Sequence, residues 1–82
     1  MCKRIYVYDQ IDKILDIKGF ICPEPIQLIR KEINLIRTHQ IILVVTDDPS
    51  TKYEIPAFCR FMEHTLLMNT TLHLPYFFML RK

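Results

Sequence analysis

The stretch LDIKGFICPEP, residues 15–25, joins the end of a strand to the start of a helix. Residues 13–17 are predicted to form a short first strand. Gly19, the one glycine of the chain, is predicted to lie in a turn that requires positive φ or a close backbone approach. The two prolines are compatible with a first helical turn, because N–H groups there have no intrahelical partner. The stretch therefore predicts a strand, a tight turn and a helix, with Cys22 at the junction.

Hydrophobic periodicity predicts two amphipathic helices. The apolar face of the first helix contains Ile26, Ile29, Ile33 and Ile36, and is widened by Leu28 and Leu35. The apolar face of the second helix contains Ile55, Phe58, Cys59 and Met62. Isoleucine is a middling helix former, so we expect the first helix to depend on packing of its apolar face.

Three further strands are predicted. Residues 41–45 are apolar without alternation, as in a strand that is central in a sheet or covered on both faces. Residues 65–72 and 76–80 are predicted to be two closing strands around a turn. The order β-α-β-α-β-β predicts an α/β (α+β) two-layer sandwich, with a four-stranded mixed sheet and both helices on one face. We also expect each helical crossover to join neighbouring strands.

Length and composition favour one small domain. The chain has 82 residues, half of them hydrophobic, and a net charge of +2. We expect residues 1–11 to be a loose N-terminal extension and residues 12–82 to form a single domain. The longest apolar run is five residues, too short to cross a bilayer, and the N-terminus lacks the apolar region of a secretory signal. These features predict a cytoplasmic protein.

The cysteine pattern argues against a metal or dithiol site. Cys2, Cys22 and Cys59 are widely and irregularly spaced, with no Cys-x-x-Cys pair. His39, His64 and His73 are isolated from one another, so no local spacing predicts a metal site. We therefore expect neither metal nor cofactor, and a reducing compartment in which at least one thiol can react.

Cys22 is the strongest candidate for a reactive residue. It is predicted at the helix N-cap, with Pro23 and Pro25 at the first and third helical positions. The N–H of Glu24 is then the donor left to point at the sulfur. This donor and the positive end of the helix would lower the pKa of Cys22, and the sulfur would face outward.

Other interpretations of these residues remain open. Cys22 could be a small residue in a rigid entry to the helix, with no special reactivity. Cys59 is expected to be an inert core thiol, since it lies on an apolar helix face, and Cys2 has no assigned role. A Cys22–His dyad would need a cleft that this short chain can hardly build. Asp47 and Asp48 are interpreted as turn-forming residues.

Several motifs in sequence order resemble the TusA (SirA-like) family of sulfur carriers. The family signature is a strand ending in Asp, a basic residue and Gly, followed by Cys-Pro-x-Pro opening a helix, and residues 15–25 match it. The resemblance continues through VTDDP at 45–49, IPAFCRFMEH at 55–64, LPY at 74–76 and LRK at 80–82. It covers all but roughly the first eleven residues, and the match at residues 59–64 favours the TusA branch of the family.

This resemblance implies a function. The family cysteine, here Cys22, accepts sulfur as a persulfide from a cysteine desulfurase. It passes the sulfur to a TusBCD-like complex for 2-thiouridine formation at the tRNA wobble position. Such a protein is a stoichiometric carrier, neither an ordinary enzyme nor a direct tRNA or membrane binder. The residues that would support Cys22 are Asp16, Lys18, Gly19, Pro23, Glu24 and Pro25.

Three other functions remain possible from the sequence. A non-catalytic regulatory or interaction module would use Phe20, Ile21 and the proline-rich turn as a docking patch. A carrier could also serve another pathway, such as molybdenum cofactor synthesis. Direct RNA binding would use the basic residues Arg30, Lys31 and Arg37, and would depend strongly on salt.

Overall fold

A computed structural model of the chain describes residues 11–82. The elements follow in the order β1 (Ile11–Asp16), α1 (Glu24–Leu35), β2 (Ile41–Thr46), α2 (Thr51–Met62), β3 (Thr65–Thr70) and β4 (Tyr76–Arg81). The predicted order β-α-β-α-β-β and the α+β class with a four-stranded mixed sheet are therefore confirmed. No helix in residues 11–82 has both the length and the apolar character needed to span a bilayer.

The sheet has the strand order β1-β2-β4-β3. β1 and β2 are parallel neighbours, and β4 is antiparallel to both β2 and β3. The prediction that crossovers join neighbouring strands is right for the first crossover and wrong for the second, because β4 lies between β2 and β3. The reason is burial: β4 has three consecutive buried residues, whereas β3 is largely exposed and suits the edge of the sheet.

Several element boundaries differ from the prediction. β1 begins at Ile11, two residues earlier than expected, and Asp12 Oδ2 accepts the N–H of Ile41 at 2.8 Å beside it. Apart from Ile11, the predicted N-terminal extension lies outside the described residues, as does Cys2. Helix α1 is shorter than its apolar pattern indicated: Ile36 is already its C-cap, and Leu35 is 72% exposed.

The core lies between the sheet and the helices. Register pairs Ile42 with Leu80 and Val44 with Phe78 on adjacent strands, and all four side chains are fully buried. Helix residues complete the cluster: Ile29, Ile33, Ile55, Phe58 and Cys59. The core position predicted for Cys59 is confirmed, since it is only 2% exposed.

The parallel pairing of β1 and β2 fixes the position of the candidate site. Their carboxyl ends lie side by side, and the N–H of Ile17 donates to the carbonyl of Val45 at 2.8 Å. Because parallel strands end at the same edge of a sheet, the turn before α1 and the loop before α2 leave the sheet together. Residues 18–23 and 47–50 are thereby brought into contact.

Candidate functional site

The turn after β1 depends on Gly19. Its φ of +93° lies in the region that side-chain-bearing L-residues avoid, and its N–H donates to Asp47 Oδ1 at 3.0 Å. Just before it, the N–H of Lys18 donates to Asp16 Oδ1 at 3.1 Å, and the Lys18 ammonium lies 3.5 Å from Asp16 Oδ2. Lys18 thus pairs with Asp16 in an exposed turn, and the supporting role expected of these two residues stays a prediction.

The start of α1 differs from the prediction in register. Pro23, with φ −96° and ψ 7°, is the N-cap, and Pro25 is the buried second helical residue. Cys22 therefore lies one position before the cap, and its predicted N-cap role is wrong. The N–H of Glu24 donates to the carbonyl of Ile21 at 2.9 Å. That bond closes a turn around Cys22 and occupies the donor that we expected to point at the sulfur.

Asp48 holds the backbone of Cys22. Its Oδ2 accepts the Cys22 N–H at 2.8 Å and the Ser50 hydroxyl at 2.9 Å, while Oδ1 accepts the Ser50 N–H at 3.1 Å. The Asp48 residue is only 8% exposed. Asp47 and Asp48 do form the turn that begins α2, as predicted, but they also bind Gly19 and Cys22 on the neighbouring turn. The sequence contained a signal for these contacts: both residues directly follow β2, whose end lies beside the end of β1.

Glu54, in the first turn of α2, contacts the sulfur. The Cys22 thiol donates to Glu54 Oε2 with a sulfur–oxygen distance of 3.1 Å. The other oxygen, Oε1, is buried and has no hydrogen-bond partner among the described residues. Sequence analysis did not identify Glu54, because no local spacing relates it to a cysteine 32 residues away.

The hydrogen bond to Glu54 raises the pKa of the Cys22 thiol. Partial desolvation and the negative charges of Glu54 and Asp48 act in the same direction, whereas the neighbouring Ser50 hydroxyl acts against them. The predicted lowering of the pKa of Cys22 is therefore wrong. A carboxylate that accepts the S–H stabilises the neutral thiol, which raises the pKa.

A groove lies beside Cys22 between the two helices. It has a volume of about 850 Å³, and its lining includes Arg30 of α1 and Glu54, Arg60 and Phe61 of α2. Cys22 is exposed at this groove, as predicted, and the Phe61 side chain is 84% exposed. The residues proposed as a docking patch, Phe20 and Ile21, are also exposed, at 43% and 70%.

Cys59, the other cysteine in the described part of the chain, is buried, whereas Cys22 is exposed. Burial raises the pKa of Cys59 to about 11, so this thiol is neutral and shielded at ordinary pH. In residues 11–82, no group of three or more His, Cys, Asp or Glu side chains is arranged to bind a metal ion. The exposed thiol at the groove is thus the chemically accessible one of the two.

Comparison with known families gives a match over most of the chain. The family model described as "Sulfurtransferase TusA" matches residues 13–82, from β1 to the last residue. The match includes the turn with Gly19, Cys22, the loop with Asp48 and the groove between the helices. The chain therefore belongs to the TusA sulfurtransferase family, whose members carry and transfer sulfur.

Proposed function

We propose that this protein carries sulfane sulfur as a persulfide on Cys22, taking it from a cysteine desulfurase and passing it to a TusBCD-like acceptor complex. The end product is 2-thiouridine at the tRNA wobble position. The observation that carries the proposal is the exposed Cys22 thiol, fixed through its backbone N–H to the nearly buried Asp48 at 2.8 Å. A carrier needs a sulfur that is accessible to other proteins and constant in position.

The transfer step requires no additional oxidant or reductant. The Cys22 thiol loses its proton, and the thiolate attacks the outer sulfur of a persulfide R–S–SH on the donor cysteine. A bond forms between the Cys22 sulfur and that outer sulfur, and the S–S bond of the donor breaks. Its electron pair leaves on the donor sulfur, which takes up the proton released by Cys22. The products are Cys22–S–SH and a free donor thiol, and the same exchange in reverse delivers the sulfur onward.

The groove beside Cys22 suits a transient protein partner. Exposed Phe61 offers an aromatic anchor, and Arg30 and Arg60 offer cationic hydrogen-bond donors. A partner cysteine must reach the Cys22 sulfur directly, so the docking surface has to surround it. We therefore assign this groove to both the donor and the acceptor, which would bind alternately.

This role is stoichiometric. Each carrier molecule takes up one sulfur atom and must unload it before the next, so the chain acts as a co-substrate of its partners. We place this activity in the cytoplasm, because a persulfide relay needs reduced thiols. Direct contact with tRNA or a membrane is not part of the proposal.

Reconstitution with labelled sulfur tests the relay. The protein is incubated with a cysteine desulfurase, radiolabelled cysteine, a TusBCD-type complex, the tRNA thiolase and unmodified tRNA. We expect label in 2-thiouridine with the wild type and with Cys59→Ala, and none with Cys22→Ala. Label in tRNA at the wild-type level with Cys22→Ala would refute the proposal.

Two other outcomes would identify the alternatives. If Cys22 accepts sulfur but tRNA stays unlabelled, the carrier serves another acceptor, such as molybdenum cofactor synthesis. If Cys22 accepts no sulfur and the protein still binds a partner through exposed Phe20 and Ile21, it is an interaction module.

A further inference from the structure

The thiol of Cys22 and the carboxylate of Glu54 form a pair whose function the carrier role does not explain. Sulfur transfer requires a thiolate, yet Glu54 accepts the S–H at 3.1 Å and so favours the neutral thiol. An exposed, permanently ionised cysteine would react with any small electrophile or oxidant. The hydrogen bond to Glu54 therefore opposes the ionisation that would expose Cys22 to such reactions.

We propose that Glu54 determines the selectivity of Cys22: it keeps the thiol protonated until a docked partner engages the Glu54 carboxylate through a cationic side chain. The second carboxylate oxygen, Oε1, is buried without a hydrogen-bond partner among the described residues. A buried carboxylate oxygen without a donor is costly, so Glu54 would gain free energy by turning toward a cation. The inference rests on the proposed carrier function for the identity of the partner.

The charges around Cys22 fit this assignment. Asp48, in the loop before α2, adds a second negative charge that disfavours a thiolate. The Ser50 hydroxyl acts in the opposite direction and favours the thiolate. In the free protein, however, this hydroxyl donates a hydrogen bond to Asp48 Oδ2 at 2.9 Å. Glu24 follows at the start of α1 and is exposed. Acidic groups therefore predominate next to the sulfur.

Two cations lie in the same groove. Arg30 of α1 and Arg60 of α2 line it with Glu54, and both side chains are exposed. Neither makes an ion pair with Glu54 among the described residues, so no cation of the described chain neutralises this carboxylate. A partner cation could bind it once the Glu54 side chain turns outward and its buried oxygen becomes accessible. A Lys or Arg delivered by the donor would compete with the thiol for Glu54. Loss of the hydrogen bond from Cys22 would then favour the thiolate at the moment of docking.

The test compares the wild type with Glu54→Gln, which keeps the shape of the side chain and removes its charge. Glu63→Gln, at the exposed residue after α2, is the matched control. The first measurement is the rate of iodoacetamide alkylation of Cys22 against pH, followed by peptide mapping. We expect Glu54→Gln to react severalfold faster at neutral pH, with its profile shifted to lower pH, and Glu63→Gln to match the wild type.

The second measurement compares two sulfur donors, glutathione persulfide and a cysteine desulfurase. We expect Glu54→Gln to gain severalfold in uptake from glutathione persulfide and much less from the desulfurase, so that its preference for the protein donor falls. An unchanged pH profile, or an equal gain with both donors, would overturn the proposal. Absence of sulfur uptake by every variant would refute the carrier function instead, while the alkylation profile would still test the role of Glu54.

Discussion

The sulfur of Cys22 lies 3.1 Å from Oε2 of Glu54, although 32 residues separate them in the chain. Two elements bring them together: Cys22 precedes α1, Glu54 lies in the first turn of α2, and both helices follow parallel strands that end at the same edge of the sheet. The most accessible thiol in the described residues is thus paired with an acidic group. The acidic groups that favour the neutral thiol, Glu54 and Asp48, lie outside the Cys-Pro-Glu-Pro motif.

The carboxylate of Asp48 should be a main determinant of the stability of the site. Asp48→Ala removes the acceptor of two backbone N–H groups, those of Cys22 and Ser50, in a nearly buried position. We expect the free energy of unfolding in urea to fall by about 2–3 kcal/mol. Asp47→Ala is the matched control, because exposed Asp47 accepts one bond, from Gly19, and its loss should cost less than about 1 kcal/mol. Equal losses would contradict this interpretation.

Gly19 should be required for its backbone conformation alone. A Cβ atom added at this position would meet nothing within 4 Å, so the cost of an L-residue comes from its φ of +93°. We expect Gly19→Ala to lower the free energy of unfolding by about 1–2 kcal/mol. Chemical synthesis with D-alanine at position 19 provides the control, since a D-residue prefers positive φ. If L-alanine and D-alanine give the same stability, the backbone explanation is wrong.

Substitution of two phenylalanines should affect different properties: one the stability of the fold, the other the binding of a partner. Phe78 is fully buried in the core, so Phe78→Ala should cost about 3–5 kcal/mol in urea unfolding. Phe61 is 84% exposed at the groove, and Phe61→Ala should change the stability by less than about 0.5 kcal/mol. Titration of labelled protein should show weaker desulfurase binding for Phe61→Ala. A stable Phe61→Ala variant with wild-type affinity would exclude Phe61 from the docking surface.

Burial of Cys59 should make stability decline at alkaline pH. Its pKa is raised from 9.0 to about 11 in the folded protein, so the unfolded chain loses this proton first. The contribution of the thiol is complete below pH 9.0 and is lost as the pH rises toward about 11. The free energy of unfolding, measured across this range, should fall less steeply for Cys59→Ala than for the wild type. If the free energy of unfolding falls equally with pH in both proteins, the raised pKa of Cys59 does not contribute to stability.

The fold was largely predictable because its signals are local. The apolar run at residues 41–45 marked the central strand, and the periodicities at Ile29–Ile33 and Ile55–Cys59 marked the buried helix faces. The position of β4 between β2 and β3 was not predicted. Strand order depends on which of β3 and β4 buries more apolar surface in the centre of the sheet. That difference has an effect only when the whole sheet assembles, so it leaves no local signal in the sequence.

The site was predictable only in part. Cys22 was identified from its position before the prolines, and its exposure followed from the end of the strand. Its pKa was predicted in the wrong direction, because the groups that set it, Glu54 and Asp48, are distant in sequence. A one-residue shift in the helix start also gave the Glu24 N–H a backbone acceptor instead of the sulfur. Tertiary contacts therefore decide the electrostatics of this site.

The most direct test of the central claim is the mass of the intact protein after incubation with a cysteine desulfurase and cysteine. We predict that the wild type and Cys59→Ala each gain one sulfur atom, that reductant removes it, and that peptide mapping locates it on Cys22. Cys22→Ala should gain none. A wild type that gains no sulfur, or a Cys22→Ala variant that gains it equally, would contradict the assignment of Cys22 as the sulfur-carrying residue.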